Sequence, residues 1–270
     1  QLRLDSRITD DVRWTSSVTW GTEALGFFVG DNFADVNMHT LQGRSEVRAN
    51  LGEHVSLTGG VDVLWQRTDV SLRLTPYPAA DEPPGPTFGR PPLTVTAQPS
   101  AARPGAYLHF DITPVDGLRL MPGIRVDYTQ DNGGVTVDPR FAARWDVHDG
   151  EHRTTLKTAV GLYHQPPQPI ESMLDTSFTV RSSRALHASV GLEQQLTPHF
   201  ELSIEGFWKD FDDLAVARAG GTDTVIGVRF ENDGEGRAYG GELMLRSRPG
   251  GGPFFGWLAY TLSRIERRDG

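Results

Sequence analysis

Hydrophobic and polar residues alternate with a period of two along most of the chain. In the stretch LTGGVDVLWQ (57–66), apolar side chains occupy the odd positions and polar ones most of the even positions. Such alternation is typical of β-strands with one apolar and one polar face. We therefore predict an all-β, antiparallel protein with about eleven strands. The predicted strands lie at 12–25, 41–51, 57–66, 106–113, 118–128, 141–147, 155–162, 186–193, 202–209, 238–246 and 255–265.

The predicted strands are long, many of them about ten residues or more. Strands of globular proteins most often have about 5–6 residues, whereas a tilted strand needs roughly 9–11 residues to cross a bilayer. The alternation itself fits two architectures. In a soluble sandwich the apolar faces would pack against each other, and in an outer-membrane barrel they would contact lipid.

Three features favour the barrel. Tight turns, as at 115–117 and 148–150, alternate with longer polar loops, which is the outer-membrane pattern. Arg44, Glu46 and Arg48 bring charges to mid-strand positions, which suit a water-filled lumen better than a dry core. Aromatic residues near strand ends would form the interfacial girdles of such a barrel. They are Trp14, Trp20, Trp65, Tyr128, Trp145, Tyr163, Trp208, Trp257 and Tyr260.

Composition excludes several classes of protein. The 270 residues include no cysteine, which excludes disulfide scaffolds, thiol enzymes and zinc sites built on sulfur. With 26 Lys+Arg against 35 Asp+Glu, the net charge of −9 argues against a nucleic-acid partner. The first residues show neither a signal peptide nor a long apolar run. Because the chain opens inside a patterned segment, we expect it to be a piece of a longer protein.

Three segments are predicted to be long loops, at 75–104, 165–183 and 217–228, with a further irregular stretch at 231–236. The first holds nine of the 18 prolines, which remove backbone donors and favour extended conformations. A ligand for a proline-recognition domain is the less favoured alternative to an external surface loop. Long loops on a regular scaffold are usually functional or disordered.

Motifs for catalysis or metal binding are weak. The glycine-rich segment GEGRAYG (234–240) lacks the spacing and the ending of a phosphate loop, and we interpret it as a bend that leads into a strand. KDFDD (209–213) has three carboxylates but too few ligands for a calcium site, and an exposed strand end is the better interpretation. His109 and Asp111 share a polar face as a hydrolase pair would, although chance explains one such pair. We therefore predict no catalytic residue, no metal site and no cofactor.

The chain contains, in this order, GLYHQPP (161–167), HASVGLE (187–193), LSIEGFWKDFDDL (202–214) and NDGEGRAYGGEL (232–243), followed by GWLAYTLS (256–263). Together these stretches resemble the C-terminal half of the β-barrel domain of TonB-dependent outer-membrane receptors. Each stretch is weak alone, but their order and spacing are specific. The recurring Gly-x-Glu elements suit a tightly curving wall because glycine lets a strand twist. Glu193, Glu205 and Glu242 share the inward parity and are expected to contact water, a plug or neighbouring arginines.

The resemblance implies that residues 1–270 form part of a 22-stranded barrel whose plug, TonB box and closing strand are absent. It also implies an outer-membrane location, contact with lipid, and uptake of a scarce nutrient such as a ferric siderophore, cobalamin or a glycan. The TonB–ExbB–ExbD complex would supply energy through the missing plug region. Ligand-binding residues stay unknown, since only the three long loops are candidates.

Two other function classes stay open at this point. A soluble all-β carbohydrate-binding module predicts two stacked sheets. A small outer-membrane barrel enzyme predicts that these 270 residues close a barrel alone and contain a histidine-centred cluster.

Overall fold

The computed structural model describes residues 1–74, 92–130, 132–148, 150–168, 171, 180–219, 228–248 and 255–269. These residues contain thirteen strands, two more than the approximate number predicted. The strands are β1 (Leu2–Arg7), β2 (Val12–Val29), β3 (Asn32–Asn50), β4 (Val55–Leu74), β5 (Leu93–Ala97), β6 (Ser100–Val115), β7 (Leu118–Thr129), β8 (Gly134–His148), β9 (Thr154–Gln165), β10 (Ser183–Gln195), β11 (Phe200–Ala219), β12 (Val228–Ser247) and β13 (Gly256–Asp269).

All thirteen strands belong to one antiparallel sheet. Each strand pairs with its neighbour in sequence from β1 to β13, except that β5 pairs only with β4 and β6 follows β4 in the sheet. The described part of the sheet is an open path, in which β1 and β13 do not pair with each other. The two stacked sheets expected of a soluble module and the closed barrel expected of a small enzyme are therefore not observed in the described residues.

The apolar residues of this sheet face outward. Within the described residues only Val70, Val180, Val216 and Ala238 are buried hydrophobic residues. One hydrogen-bonded row carries large apolar side chains across six strands: Trp145, Leu156, Leu192, Ile204, Leu243 and Tyr260. Ile204 is 46% exposed in the centre of that row, as expected for a surface that meets lipid hydrocarbon rather than water. Within the described residues, no helix is long and apolar enough to cross a membrane.

The two rims of the sheet differ in the length of their connections. At one rim the strands are joined by short turns, such as 8–11, 51–54 and 196–199. The predicted tight turn at 115–117 lies at the same rim, where Gly117 adopts the left-handed region with φ 79° that favours glycine. The connections at 75–92, 166–182 and 220–227 lie at the opposite rim and fall partly or wholly outside the described residues, whereas the connection 248–255 lies at the rim with the short turns.

Two predicted irregular regions are regular strands. The second half of the predicted loop 75–104 contains β5 and the start of β6, both paired with β4, and Pro99 lies between the two strands. Residues 231–236 lie within β12, and 209–213 lie within β11 rather than at a strand end. The irregularity is instead a bulge in β11, where Asp213 has φ 55° and the register shifts on both sides of Leu214.

The bulge explains a glycine in the opposing strand. A Cβ atom on Gly234 would lie 2.8 Å from Cγ2 of Val216 and 2.9 Å from Cβ of Leu214. Only glycine fits at this point, because the bulge presses two side chains of β11 onto β12. The glycine-rich segment 234–240 is therefore a packing feature of a strand.

Candidate functional site

The polar face of the sheet is the candidate functional surface. It is the side onto which Glu46, Tyr107, Arg125, Glu193 and Glu205 project, opposite the apolar rows. Because side chains alternate along each strand, the register places one polar-face residue of each strand in a common hydrogen-bonded row with those of its neighbours. Charges that lie far apart in sequence thereby become neighbours.

A cluster of six polar-face residues joins four strands, β3, β4, β6 and β7. Arg125 binds Asp62 through two nitrogens, each at 2.8 Å, and its Nε donates to Asp127 at 2.7 Å. The Tyr107 hydroxyl donates to Glu46 at 2.5 Å, and Arg44 binds the same carboxylate at 2.7 Å. Each carboxylate of this cluster thus has a guanidinium partner, a geometry that favours strong charge-assisted bonds.

The Tyr107 ring lies in the middle of this cluster. The guanidinium carbon of Arg44 is 5.0 Å from the ring centroid and that of Arg125 is 5.8 Å away, so the ring contacts two cations. Gly60 leaves the space for the ring, since a Cβ there would lie 2.5 Å from the Tyr107 hydroxyl oxygen. Gly105 leaves the space for Arg125 and Asp127 in the same way. Sequence reasoning identified Arg44 and Glu46 but missed Tyr107, Asp62, Arg125 and Asp127.

A second cluster holds Glu193, one of the three glutamates predicted to face inward. Lys157 donates to one carboxylate oxygen of Glu193 at 2.7 Å, and Arg144 contacts the other at 3.0 Å. Nearby, the Thr155 hydroxyl donates to Asp146 at 2.5 Å. Glu193 of β10 therefore contacts a basic residue of the adjacent strand β9 and one of β8 beyond it, and contact with neighbouring basic residues is one of the arrangements that the sequence left open.

Glu205 and Glu242 lie directly opposite each other in the β11–β12 register, also on the polar face. Glu205 lies against Gly191 of β10, whose added Cβ would be 3.5 Å from Cβ and Cγ of the glutamate. Neither carboxylate has a hydrogen bond or an ion pair within the described residues. Like charges directly opposite each other destabilise a sheet, so this pair suits a cationic partner that the described strands do not supply.

The rim with the long connections has its own polar contacts. The Asn232 side chain accepts from the backbone N–H of Arg181 at 2.7 Å and donates to the carbonyl of Asp213 at 2.7 Å. It thereby ties the residues before β10 to the bulge of β11. At the same rim, Nδ1 of His164 lies 2.5 Å from Oδ1 of Asp138, and Asp138 is only 6% exposed. Neither Asn232 nor Asp138 was predicted.

The weak catalytic and metal motifs do not form sites in the structure. Asp111 binds Arg119, whose Nε lies 2.6 Å from the carboxylate, and it has no hydrogen bond to His109. The three carboxylates of segment 209–213 form ion pairs with three different arginines: Asp210 with Arg237, Asp212 with Arg184 and Asp213 with Arg181. They do not converge on a cation, and the described residues contain no group of three or more potential metal ligands.

Seven of the nine aromatic residues predicted for the girdles share the outward parity: Trp14, Trp20, Trp65, Tyr128, Trp145, Trp208 and Tyr260. Trp208 stacks on Tyr239 of β12 at 5.2 Å between ring centroids. The prediction was wrong for Tyr163, which contacts His187 and Arg140 on the polar face. It was also wrong for Trp257, whose position opposite Arg246 gives it the inward parity.

Comparison with known protein families assigns this fold. The family model described as "TonB dependent receptor-like, beta-barrel" matches residues 1–270, the whole chain. The chain belongs to the TonB-dependent receptor β-barrel family. The outward apolar rows are therefore the lipid-facing band of a bacterial outer-membrane receptor, and the polar face lines its lumen. The resemblance found in the sequence is confirmed.

Solved structures show the same fold. The chain is similar to the outer membrane transporter YddB from Escherichia coli, with a TM-score of 0.69 and 12% identity over 97% of this chain and 41% of that one. The copper transporter OprC gives a TM-score of 0.66 at 15% identity, over 97% and 46%. The siderophore receptor PirA from Pseudomonas aeruginosa gives 0.61 at 13% identity, over 98% and 55%. The chain thus spans about half or less of these proteins. No curated protein sequence matches it.

Proposed function

We propose that this receptor barrel serves the active uptake of a scarce nutrient across the outer membrane. The observation that carries the proposal is the polar face, where ion-paired clusters on β3–β10 line a wet lumen within a lipid-facing wall. A barrel that transports nothing would not need so many charged residues on its inner face. Buried charges are stable only when they contact water or a partner group. This proposal treats the chain as a transporter part rather than an enzyme.

The energy source proposed is the TonB–ExbB–ExbD complex, which acts through a plug region outside these 270 residues. Glu205 and Glu242 support a plug that docks against the polar face, because their neighbouring carboxylates lack a cation within the described strands. A basic side chain of the plug would neutralise both. Residues 1–270 would then be one part of a larger barrel domain.

The substrate class is proposed from the receptors that share the fold, one of which is a siderophore receptor and another a copper transporter. A ferric siderophore is the first candidate, with cobalamin and glycans next. Within the predicted loops 75–104, 165–183 and 217–228, the connections 75–92, 166–182 and 220–227 are the proposed regions of first contact, because long loops on rigid scaffolds commonly bind ligands.

Uptake assays test this function. Cells that lack the full-length gene are compared with complemented cells for uptake of labelled ferric siderophores, cobalamin and oligosaccharides. We expect one of these substrates to accumulate only in complemented cells, and only when TonB is functional. Equal uptake of the whole panel with and without the gene, or uptake that persists without TonB, would refute the proposal.

A further inference from the structure

One hydrogen-bonded row of the polar face collects basic side chains from six strands. We call it the basic row, and it consists of Arg13, Arg48, His109, Arg140, His187 and Lys209. Thr58, Gly123 and Gly161 fill the positions on the strands between them. The same row continues to Arg7 at one end and to Ala238 and Ile265 at the other. None of its twelve positions, one on each strand of the main path, is acidic.

The side chains at the centre of the row converge on one space. An added Cβ on Gly123 would lie 3.0 Å from Cβ of His109 and 3.4 Å from Cγ of Arg140, so both side chains flank this glycine. A cavity of about 260 Å³ lies here, lined on the polar face by Arg44, Tyr107, His109, Arg125 and Arg140 and by no carboxylate. Glycine at 123 keeps this space open between the two basic groups.

Between Arg140 and Lys209, members of the basic row contact aromatic rings. The Arg140 guanidinium carbon is 5.9 Å from the Tyr163 ring centroid, and that ring lies 4.7 Å from the His187 ring. Lys209 follows directly opposite His187, with its ammonium 5.6 Å from the Phe207 ring. Arg140, His187 and Lys209 thus lie against aromatic rings.

Carboxylates in the flanking rows already have partners outside the basic row. Glu46 is bound by Arg44 and Tyr107, Asp111 by Arg119, and Asp138 by His164. Asp5 is likewise bound by Arg3 at 2.8 Å. None of the six named residues of the basic row has an ion pair with a carboxylate in the described part of the chain, whereas Arg7 at the end of the row pairs with Asp10 at 3.5 Å. Each of these flanking acids therefore has its closest basic partner outside the basic row, although Asp5, Glu46 and Asp111 also interact electrostatically with Arg13, His109 and Arg48.

This arrangement costs free energy unless an anion binds. Arg13 lies directly opposite Arg48, and like charges in such a pair repel. Lys209 lies directly opposite His187, which adds to the repulsion only when its imidazole is protonated. Guanidinium groups present a fork of donors that matches carboxylate and phosphate oxygens. Neutral histidines offer one further donor each, and protonated ones offer two.

The basic row also changes height along the barrel axis from one strand to the next. Arg13 is the second residue of β2, next to the rim with short turns, whereas Lys209 lies in the middle of β11. Since barrel strands tilt by about 35–45° and lie about 4.8 Å apart, a hydrogen-bonded row rises about 3 Å per strand. Over the eight steps from β2 to β11 along the sheet, the rise is on the order of 25 Å, which is about the height of the lipid-facing band.

We infer that the basic row is a track that binds the anionic groups, carboxylates or phosphates, of a small substrate as it passes along the lumen. The inference rests on the proposed transport function and deepens it by naming the charge of the substrate. Adjacent sites about 5–10 Å apart let one anionic group engage the next cation before it leaves the last. The central site is Arg140 with His109.

Calorimetric titration of the purified full-length receptor in detergent tests the track. The probes are pyrophosphate and propane-1,2,3-tricarboxylate at low ionic strength, with the uncharged trimethyl ester of the latter as the neutral control ligand. We expect both anions to bind the wild type, to bind more weakly as salt is added, and to bind Arg140→Gln about tenfold more weakly, because a charge-assisted bond is lost. The ester should not bind.

Arg237→Gln is the matched control, because it removes the same charge from the outward face, where Arg237 pairs with Asp210 at 3.1 Å. Its affinity for the anions should equal that of the wild type. The track is refuted if the wild type binds neither anion, if Arg140→Gln binds as well as the wild type, or if Arg237→Gln loses as much affinity. Acidic residues of another segment that cover the row would give the first of these results.

His109→Gln is a second variant that keeps the inference testable if Arg140→Gln fails to fold, which loss of heat-modifiable gel mobility would reveal. A separate measurement distinguishes the two proposals. Absence of TonB-dependent uptake by the wild type would contradict the transport function. Unchanged anion affinity in folded Arg140→Gln would contradict only the track.

Discussion

Carboxylates on the polar face have opposite surroundings in its two halves. Around Tyr107, Glu46 and Asp127 are each bound by an arginine of their own strand, and Asp62 of β4 is bound by Arg125 of β7, across β6. In β11 and β12, Glu205 and Glu242 oppose each other with no cation in the described residues. The first region is complete in itself and stiffens the wall. The second is the region for which we propose a basic partner in the plug, so its acids would serve an interaction rather than the stability of the sheet.

The largest expected effect comes from breaking the complete region at Arg125. Arg125→Gln leaves Asp62 and Asp127 side by side without their shared cation. The side chains of Arg125 and Asp62 are only 26% and 15% exposed, so water compensates only in part. We expect the free energy of unfolding to fall by about 3 kcal/mol. Urea unfolding of the full-length receptor in micelles measures it.

The control for Arg125→Gln is Arg237→Gln, since the Arg237–Asp210 pair is 58% and 38% exposed. Exposed ion pairs contribute only about 0–1 kcal/mol. Equal losses in the two variants would show that the Arg125 cluster is no more important for stability than a surface pair.

Gly60→Ala should have the next largest effect. Its new Cβ would lie 2.5 Å from the Tyr107 hydroxyl oxygen and 2.9 Å from the backbone carbonyl of Ser45, so the ring must leave its place between two arginines. We expect a loss of about 2 kcal/mol in the free energy of unfolding. Gly206→Ala is the matched control, because its nearest contact would be 4.0 Å away.

A double-mutant cycle locates the cause of the Gly60→Ala effect. If Tyr107 is the obstacle, adding Tyr107→Leu to Gly60→Ala should cost less than the sum of the single changes. A cost equal to that sum would assign the strain to the Ser45 carbonyl instead.

Tyr107→Phe keeps the ring and removes one hydrogen bond. The hydroxyl donates to Glu46 at 2.5 Å, and Arg44 still binds that carboxylate in the variant. We therefore expect a smaller loss, about 1 kcal/mol, in the same unfolding experiment. A loss as large as that of Arg125→Gln would mean that the hydroxyl, not the guanidinium, holds the cluster together.

The sequence pattern predicted the strands better than it predicted these clusters. Strand 118–128 was found because apolar or aromatic residues occupy its even positions from Leu118 to Tyr128, and β7 covers Leu118–Thr129. Strand β5 was missed because the prolines around it suggested a loop, although Leu93–Ala97 pairs with β4. Residues 231–236 were predicted to be irregular because glycine and acidic residues suggest a turn. They lie in a regular strand, and the irregularity is the bulge in the opposing strand β11.

The Tyr107 cluster depends on the register of four strands, which alternation within a single strand does not determine. Gly60 and Tyr107 are direct cross-strand partners, and Arg125 follows Tyr107 in the same row. A glycine on the polar face of a strand was a usable signal, since it marks a place where a large neighbour crosses the backbone. The parity of Glu193, Glu205 and Glu242 was predictable, whereas their different partners were not.

The smallest effect on stability, and the sharpest contrast with Tyr107, is expected from Glu205→Gln. The described strands give this carboxylate no bond to lose, and its neutralisation removes repulsion from Glu242, so the free energy of unfolding should change by no more than about 0.5 kcal/mol. Transport should nevertheless fall, because the proposed basic partner in the plug loses half of its site. Uptake in cells and urea unfolding of the same variant measure both effects. Glu46→Gln is the control, because it should lose stability where Glu205→Gln does not. A Glu205→Gln variant that unfolds as easily as Glu46→Gln, or that transports as well as the wild type, would show that the two halves of the polar face do not differ in role.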